Sequence, residues 1–95
     1  EIACWITLAI NEISARYGGS FSTNSLQTYF NYRTWYSNYG YDPNDISGAF
    51  TSVEKANFDN FGRKRNEYCE MLGISSSAKE YSYDEFAMML SLYAY

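Results

Sequence analysis

Asn11, Glu12, Arg16 and Tyr17 are the residues whose types and spacing best fit a polar site. On a helix, positions 12 and 16 stand one turn apart, with the carboxylate preceding the guanidinium. That order favours the helix, although an exposed pair contributes only about 0.2–0.5 kcal/mol. With the Asn11 carboxamide beside them, these groups could grip a ligand carboxylate or a sugar. The structural alternative has Arg16 tucked under neighbouring aromatic rings, where its five donors fix several elements and clamp helix 1 to the Trp35–Tyr36 region. The structural alternative is the one expected here, because one Arg, one Glu and aromatic neighbours suffice to set the geometry of a small core.

A second constellation is aromatic. Between Tyr29 and Tyr41, seven of thirteen residues carry rings: Tyr29, Phe30, Tyr32, Trp35, Tyr36, Tyr39 and Tyr41. Trp and Tyr combine a flat apolar face with a polar edge, which suits sugar rings or the rim of a partner protein. Some of them must also build the core. Trp35 and Tyr36 are read as buried anchors, and Tyr39 and Tyr41 as any exposed platform.

Other chemistry is constrained by what the chain lacks. It contains no histidine, which removes the commonest general base and the commonest zinc ligand. Cys4 and Cys69 cannot build a structural zinc site by themselves. They either form a disulfide, worth on the order of 4 kcal/mol in the chain-entropy model, or stay as two buried thiols. Asp42, Asn44 and Asp45 have only a superficial likeness to a calcium loop, because Ile46 stands at the third ligand position and Ser47 where the glycine belongs. No cofactor is expected.

The elements that must position these groups follow from period and punctuation. Ile2, Trp5, Ile6, Ala9, Ile13 and Tyr17 recur at spacings of three and four and predict a helix over about residues 2–17, closed by Gly18-Gly19. Ser22 or Thr23 is placed to cap a shorter second helix through Leu26, Tyr29 and Phe30. Residues 37–47, rich in Asn, Asp and Gly around Pro43, read as a loop. Thr51-Ser-Val-Glu54 is a capping box opening a long helix with Phe58, Phe61, Arg65, Tyr68 and Leu72 on one side, ended by Gly73. Arg63 and Lys64 belong to its solvated face. Ser75-Ser76-Ser77 is a linker, and Ser82-Tyr-Asp-Glu85 a second capping box before a last helix with the face Phe86, Met89, Leu90 and Tyr93. No segment alternates long enough to predict a strand.

Ninety-five residues, 46% hydrophobic and 20% aromatic, suit a single ordered domain spanning 1–95. A net charge of −4 and a pI near 4.6 argue against nucleic acid as a partner. No apolar run approaches the roughly 18 residues of a membrane span, so membrane insertion is not expected. The first residue is Glu1 rather than Met, which reads as a processed or excised part of something longer.

Taken as an ordered series, these motifs resemble the YARHG domain, a bacterial module regarded as extracellular. Asn11-Glu12-Ile13, Ala15-Arg16 and Gly18 are similar to its Asn-Glu-Ile-Tyr-Ala-Arg-His-Gly. Phe21, Leu26, Tyr29-Phe30, Trp35-Tyr36, Glu54-Lys55 and Asn57 are similar to later members of the pattern. The likeness covers about residues 8–61 and leaves 62–95 as a C-terminal helical extension. Ile10, Ser14 and Tyr17 depart from it, standing where the family has arginine, tyrosine and the signature histidine, so chemistry that depends on that histidine cannot operate here. The resemblance implies an accessory part of a secreted or envelope protein, with no established activity.

The expectation is therefore an all-α bundle of about four helices, with an aromatic-rich loop between helices 2 and 3. Its core would hold Ile6, Ala9, Ile13, Leu26, Phe30, Trp35, Phe58, Phe61, Leu72, Phe86 and Leu90. The expected role is non-catalytic recognition of a cell-wall glycan, another protein or a flanking domain, by a module that is monomeric in isolation. One alternative is a small hydrolase-like enzyme running on carboxylates such as Glu12 and Asp45 with Arg16 or Tyr17, which would gather these in a concave pocket. The other is a structural spacer.

Overall fold

A computed structural model of the chain describes residues 2–74 and 81–93, with the side chains of the last helix described as far as Met89. Its helices are α1 (Ile2–Arg16), α2 (Asn24–Asn31), α3 (Ser52–Leu72) and α4 (Tyr83–Tyr93), with a short 3-10 turn at Ser47–Ala49. The domain is all-α.

The helix ends form where local chemistry directs. After α1, the Gly19 N–H donates to the Ser14 carbonyl at 3.1 Å and the Gly18 N–H to the Ala15 carbonyl at 2.9 Å. Gly18 takes a φ of +85°, so the chain leaves the helix in a left-handed turn whose N–H groups pair with carbonyls of the last helical turn. Gly73 closes α3 in the same way, with Ile74 reaching back to Cys69 at 2.9 Å. Both capping boxes form: Thr51 with Glu54, and Ser82 with Glu85. Thr23 occupies the N-cap of α2, but its side chain makes no capping hydrogen bond. The Ser75–Ser77 linker and the side chains of Leu90 and Tyr93 lie outside what is described.

α1 packs against both α3 and α4, and α2 packs against α4. This arrangement corrects the expected buried face of α1. Its buried residues are Ala3, Cys4, Ile6, Leu8, Ile10, Ser14 and Ala15, whereas Ile2 and Trp5 are exposed and Ala9, Ile13 and Tyr17 are half-buried. A helix covered on two sides needs two apolar faces, and the small residues Ala3, Cys4, Ser14 and Ala15 allow close approach on the side away from the predicted stripe. Trp5 still meets α3, edge-on to Phe61 with ring centroids 6.3 Å apart.

Phe30, 0% exposed, belongs to the same buried cluster as Leu26, Tyr29, Phe86 and Met89. Its ring stacks on Phe21 at 5.0 Å and meets Tyr29, Trp35 and Tyr36 at 5.3, 6.0 and 5.8 Å. Leu72 is 52% exposed instead of buried, whereas Cys69, three residues earlier, is 3% exposed, so the buried side of the last turn of α3 is the Cys69 side. Phe58 and Phe61 are half-buried, and Cys69 is the one residue of α3 in the fully buried class. Cys4 and Cys69 are both buried in the core and are not joined by a disulfide, so they act as small hydrophobes there. No described helix is long and apolar enough to cross a membrane.

Candidate functional site

The aromatic loop is built onto the glycine turn that ends α1. The Tyr39 N–H donates to the Gly18 carbonyl at 3.1 Å and the Ser20 N–H to the Tyr41 carbonyl at 2.8 Å. These bonds lay residues 39–41 beside 18–20 as a parallel bridge between Gly19 and Tyr41. The bridge brings the end of α1 and the Tyr-rich loop into one unit. A β-carbon at Gly18 would run into the Tyr39 ring, and one at Gly19 would lie 2.9 Å from the Ser14 carbonyl oxygen. Glycine is thus needed at 18 for both its conformation and its small size.

Gln27 fastens the unit from the α2 side. Its Oε1 accepts from the Phe21 N–H at 2.9 Å and lies 3.4 Å from the Ser20 hydroxyl. Its Nε2 donates to the Asn31 side chain at 2.8 Å and to the Tyr36 hydroxyl at 3.1 Å. Tyr36 in turn donates to the Gly19 carbonyl at 2.6 Å. Sequence reasoning missed Gln27, and no signal marks it: a glutamine on a short helix reads as solvated. Three of its four side-chain partners belong to segments outside α2.

The residues expected at the polar site are divided among separate contacts. Arg16 Nε donates to Glu12 at 3.3 Å, and the Arg16 guanidinium lies 4.3 Å from the centre of the Trp35 ring. Both charged side chains are about half exposed, so the pair and the ring contact together are worth roughly 1 kcal/mol. Asn11 turns away from them and donates to the Thr7 carbonyl at 2.8 Å. Trp35 is 37% exposed and Tyr36 half-buried, so both are less enclosed than expected of anchors. Tyr39 and Tyr41 are 67% and 50% exposed, with ring centroids 5.8 Å apart and planes inclined by 34°.

Tyr17 joins a different element. Its hydroxyl donates to the Glu54 carboxylate, which also accepts from the Thr51 N–H, and its ring packs on Phe50 at 5.3 Å. The end of α1 is thereby fastened to the start of α3. The Tyr17 hydroxyl is held above its ordinary pKa of 10.0, chiefly by the hydrogen bond to Glu54, then by burial and the carboxylate charge. Glu54 is held below its ordinary 4.5, first by the Tyr17 hydroxyl and then by the Thr51 N–H. The signs give two limbs. The stabilisation from Glu54 is present above about pH 4.5 and is lost as pH falls through the lowered folded value. That from Tyr17 is present below about pH 10 and is lost as pH rises through the raised folded value. Tyr17→Phe should reduce both dependences in urea denaturation run from about pH 3 to about pH 11. A Tyr17→Phe profile superimposable on wild type at both ends would show that this bond does not couple folding to pH.

Between α1, the start of α2 and the turn after Tyr41 lies an open cleft of about 390 Å³. Its polar wall includes Asn11, Ser20, Thr23, Asp42 and Asn44, and its apolar wall Phe21, Leu26 and Pro43. Asp42 Oδ1 accepts from the Asn44 N–H at 2.9 Å, so this side chain closes an Asx turn. Of the residues expected at the polar site, the cleft includes Asn11 and excludes Glu12, Arg16 and Tyr17. Asp45, weighed with Glu12 for catalysis, is also outside its lining.

Comparison of the chain with models of protein families, with curated proteins and with solved structures finds no match. Its functional reading therefore rests on its own residues.

Proposed function

We propose that the domain is a non-catalytic recognition module of a larger bacterial protein, secreted or held at the cell envelope, that binds a cell-wall glycan or a protein partner through Tyr39 and Tyr41. Membership of the YARHG family, suggested by the motif order from Asn11 to Asn57, belongs to the same proposal and supplies its extracellular setting.

The observation that carries it is the pair of neighbouring, largely exposed rings on a backbone pinned by hydrogen bonds to Gly18 and Ser20. Rings left largely in water contribute less to the fold than buried ones, while a rigid mount lowers the entropy lost when a ligand docks on them. The test is sedimentation with isolated bacterial cell walls, comparing wild type with the double change Tyr39→Ala and Tyr41→Ala, alongside thermal melts. Wild-type binding is expected, weakened at least about tenfold in the folded double variant. Equal binding by both would remove the tyrosines from the site. No wild-type binding would remove the glycan and turn the search to protein partners.

A structural spacer is the second reading, and one observation favours it: Glu12, Arg16, Tyr17, Trp35 and Tyr36 are all engaged in contacts within the chain. A spacer predicts that removing the two exposed tyrosines changes no binding at all.

A further inference from the structure

We infer that the cleft beside the tyrosine pair is a subsite for one neutral sugar ring, so that an oligosaccharide would lie from the cleft onto Tyr39 and Tyr41. This deepens the recognition reading and rests on it.

Size is the first ground. A volume of 390 Å³ falls at the small end of the roughly 300–1,000 Å³ typical of ligand sites. It suits a single ring better than a folded peptide segment.

The donor set is the second. Asn44 offers a carboxamide, Thr23 a hydroxyl and Asp42 a carboxylate. Asn11, whose Nδ2 donates to the Thr7 carbonyl, keeps its Oδ1 and a second N–H, and Ser20, whose hydroxyl donates to Gln27, keeps its oxygen as an acceptor. Sugar hydroxyls are donor and acceptor at once, so adjacent hydroxyls can give to Asp42 while receiving from a carboxamide. Asp42 uses Oδ1 to close its turn, which holds the carboxylate in place and leaves Oδ2 facing no described backbone donor. The Thr23 hydroxyl is not consumed by helix capping. Phe21 and Leu26 supply the apolar surface that a ring's C–H face requires.

Charge and backbone pairing argue against the competing ligands. Among the described residues no Lys or Arg lines the cleft, so a phosphate or carboxylate would meet Asp42 without a compensating cation from them. A peptide strand would need open backbone edges. Beside the cleft, the Ser20 N–H, the Tyr41 carbonyl and the Gly18 carbonyl are already paired with one another's segments. Those same bonds hold the wall rigid, and Tyr41 leads directly into Asp42.

The test is a titration of the 15N-labelled intact chain with tri-N-acetylchitotriose and with cellotriose, using N-acetyl-alanyl-alanine amide as a peptide control. At least one saccharide is expected to shift the amides of Asn11, Ser20–Leu26 and Asn44, saturating at about 1–10 mM, with little change on adding salt. Asp42→Asn keeps an oxygen for the Asn44 N–H and should melt like wild type, yet weaken the saccharide about tenfold or more. Shifts confined to Tyr39 and Tyr41, shifts of the cleft amides by the dipeptide alone, or no shift with either saccharide would each overturn the subsite. If the subsite fails while cell-wall sedimentation still depends on the tyrosines, the recognition reading stands without it. Cleft shifts with tyrosine-independent sedimentation would instead overturn the role of the tyrosine pair.

Discussion

Phe30→Ala is expected to bring the domain close to its unfolding threshold. The side chain is fully buried and touches the rings of Phe21, Tyr29, Trp35 and Tyr36. Truncating a Phe in such a position costs about 3–5 kcal/mol, from lost transfer energy and from the cavity left behind. A domain of this length has about 5–14 kcal/mol in total. At roughly 4–8 °C per kcal/mol, the melting temperature should fall by at least about 12 °C. The damage should also spread to the site, since Phe21 lines the cleft and Tyr36 holds the Gly19 carbonyl. Thermal and urea denaturation with near-ultraviolet circular dichroism would measure both effects. A loss below about 1 kcal/mol would mean that the neighbouring rings collapse into the space and that Phe30 does not organise the loop.

Gly18→Ala is the second large effect, and it separates two costs that fall on one residue. A left-handed backbone disfavours any β-carbon by about 1–2 kcal/mol. The clash with the Tyr39 ring adds to this, so the total expected is roughly 2–4 kcal/mol. Gly40 provides the control. It has a φ of +74° but nothing within 4 Å of an added β-carbon, so Gly40→Ala should show the conformational cost alone. Adding Tyr39→Ala to Gly18→Ala should recover the part of the clash due to the ring, leaving the contact with the residue 39 β-carbon at 3.0 Å, and give a coupling of about 1 kcal/mol in the double-mutant cycle. Zero coupling would show that the ring swings aside freely, and that the tyrosine pair is less firmly mounted than its backbone bonds indicate.

The four helices and most of their ends could be read directly from the chain. Thr51–Glu54, Ser82–Glu85 and the glycines at 18, 19 and 73 act through partners within six residues, so their outcome depends little on the rest of the fold. Tyr39 and Tyr41 were also read as the exposed pair. The reading of α1 failed for a reason that periodicity cannot address: the helix has apolar residues on more than one side, and which side is deepest depends on where α3 and α4 pack. The small residues Ala3, Cys4, Ser14 and Ala15, weak on a hydrophobic scale, lie deepest because they let neighbouring elements come near.

The site divides along the same line. Local chemistry determined that α1 stops at a left-handed glycine turn, that α3 starts at Thr51, and that an aromatic loop lies between α2 and α3. Only the tertiary structure decided what those elements do to one another. Gly19 meets Tyr41, Gln27 gathers Ser20, Phe21 and Tyr36, Tyr17 reaches Glu54, and Asn11 shares a cleft with Asp42 and Asn44. Each of these joins groups from separate segments of the chain. A hydrogen bond between neighbours on one helix or turn is favoured as soon as that segment forms. One between distant segments exists only after the core around Phe30 and Phe86 has brought them together, and no local pattern encodes which partner arrives.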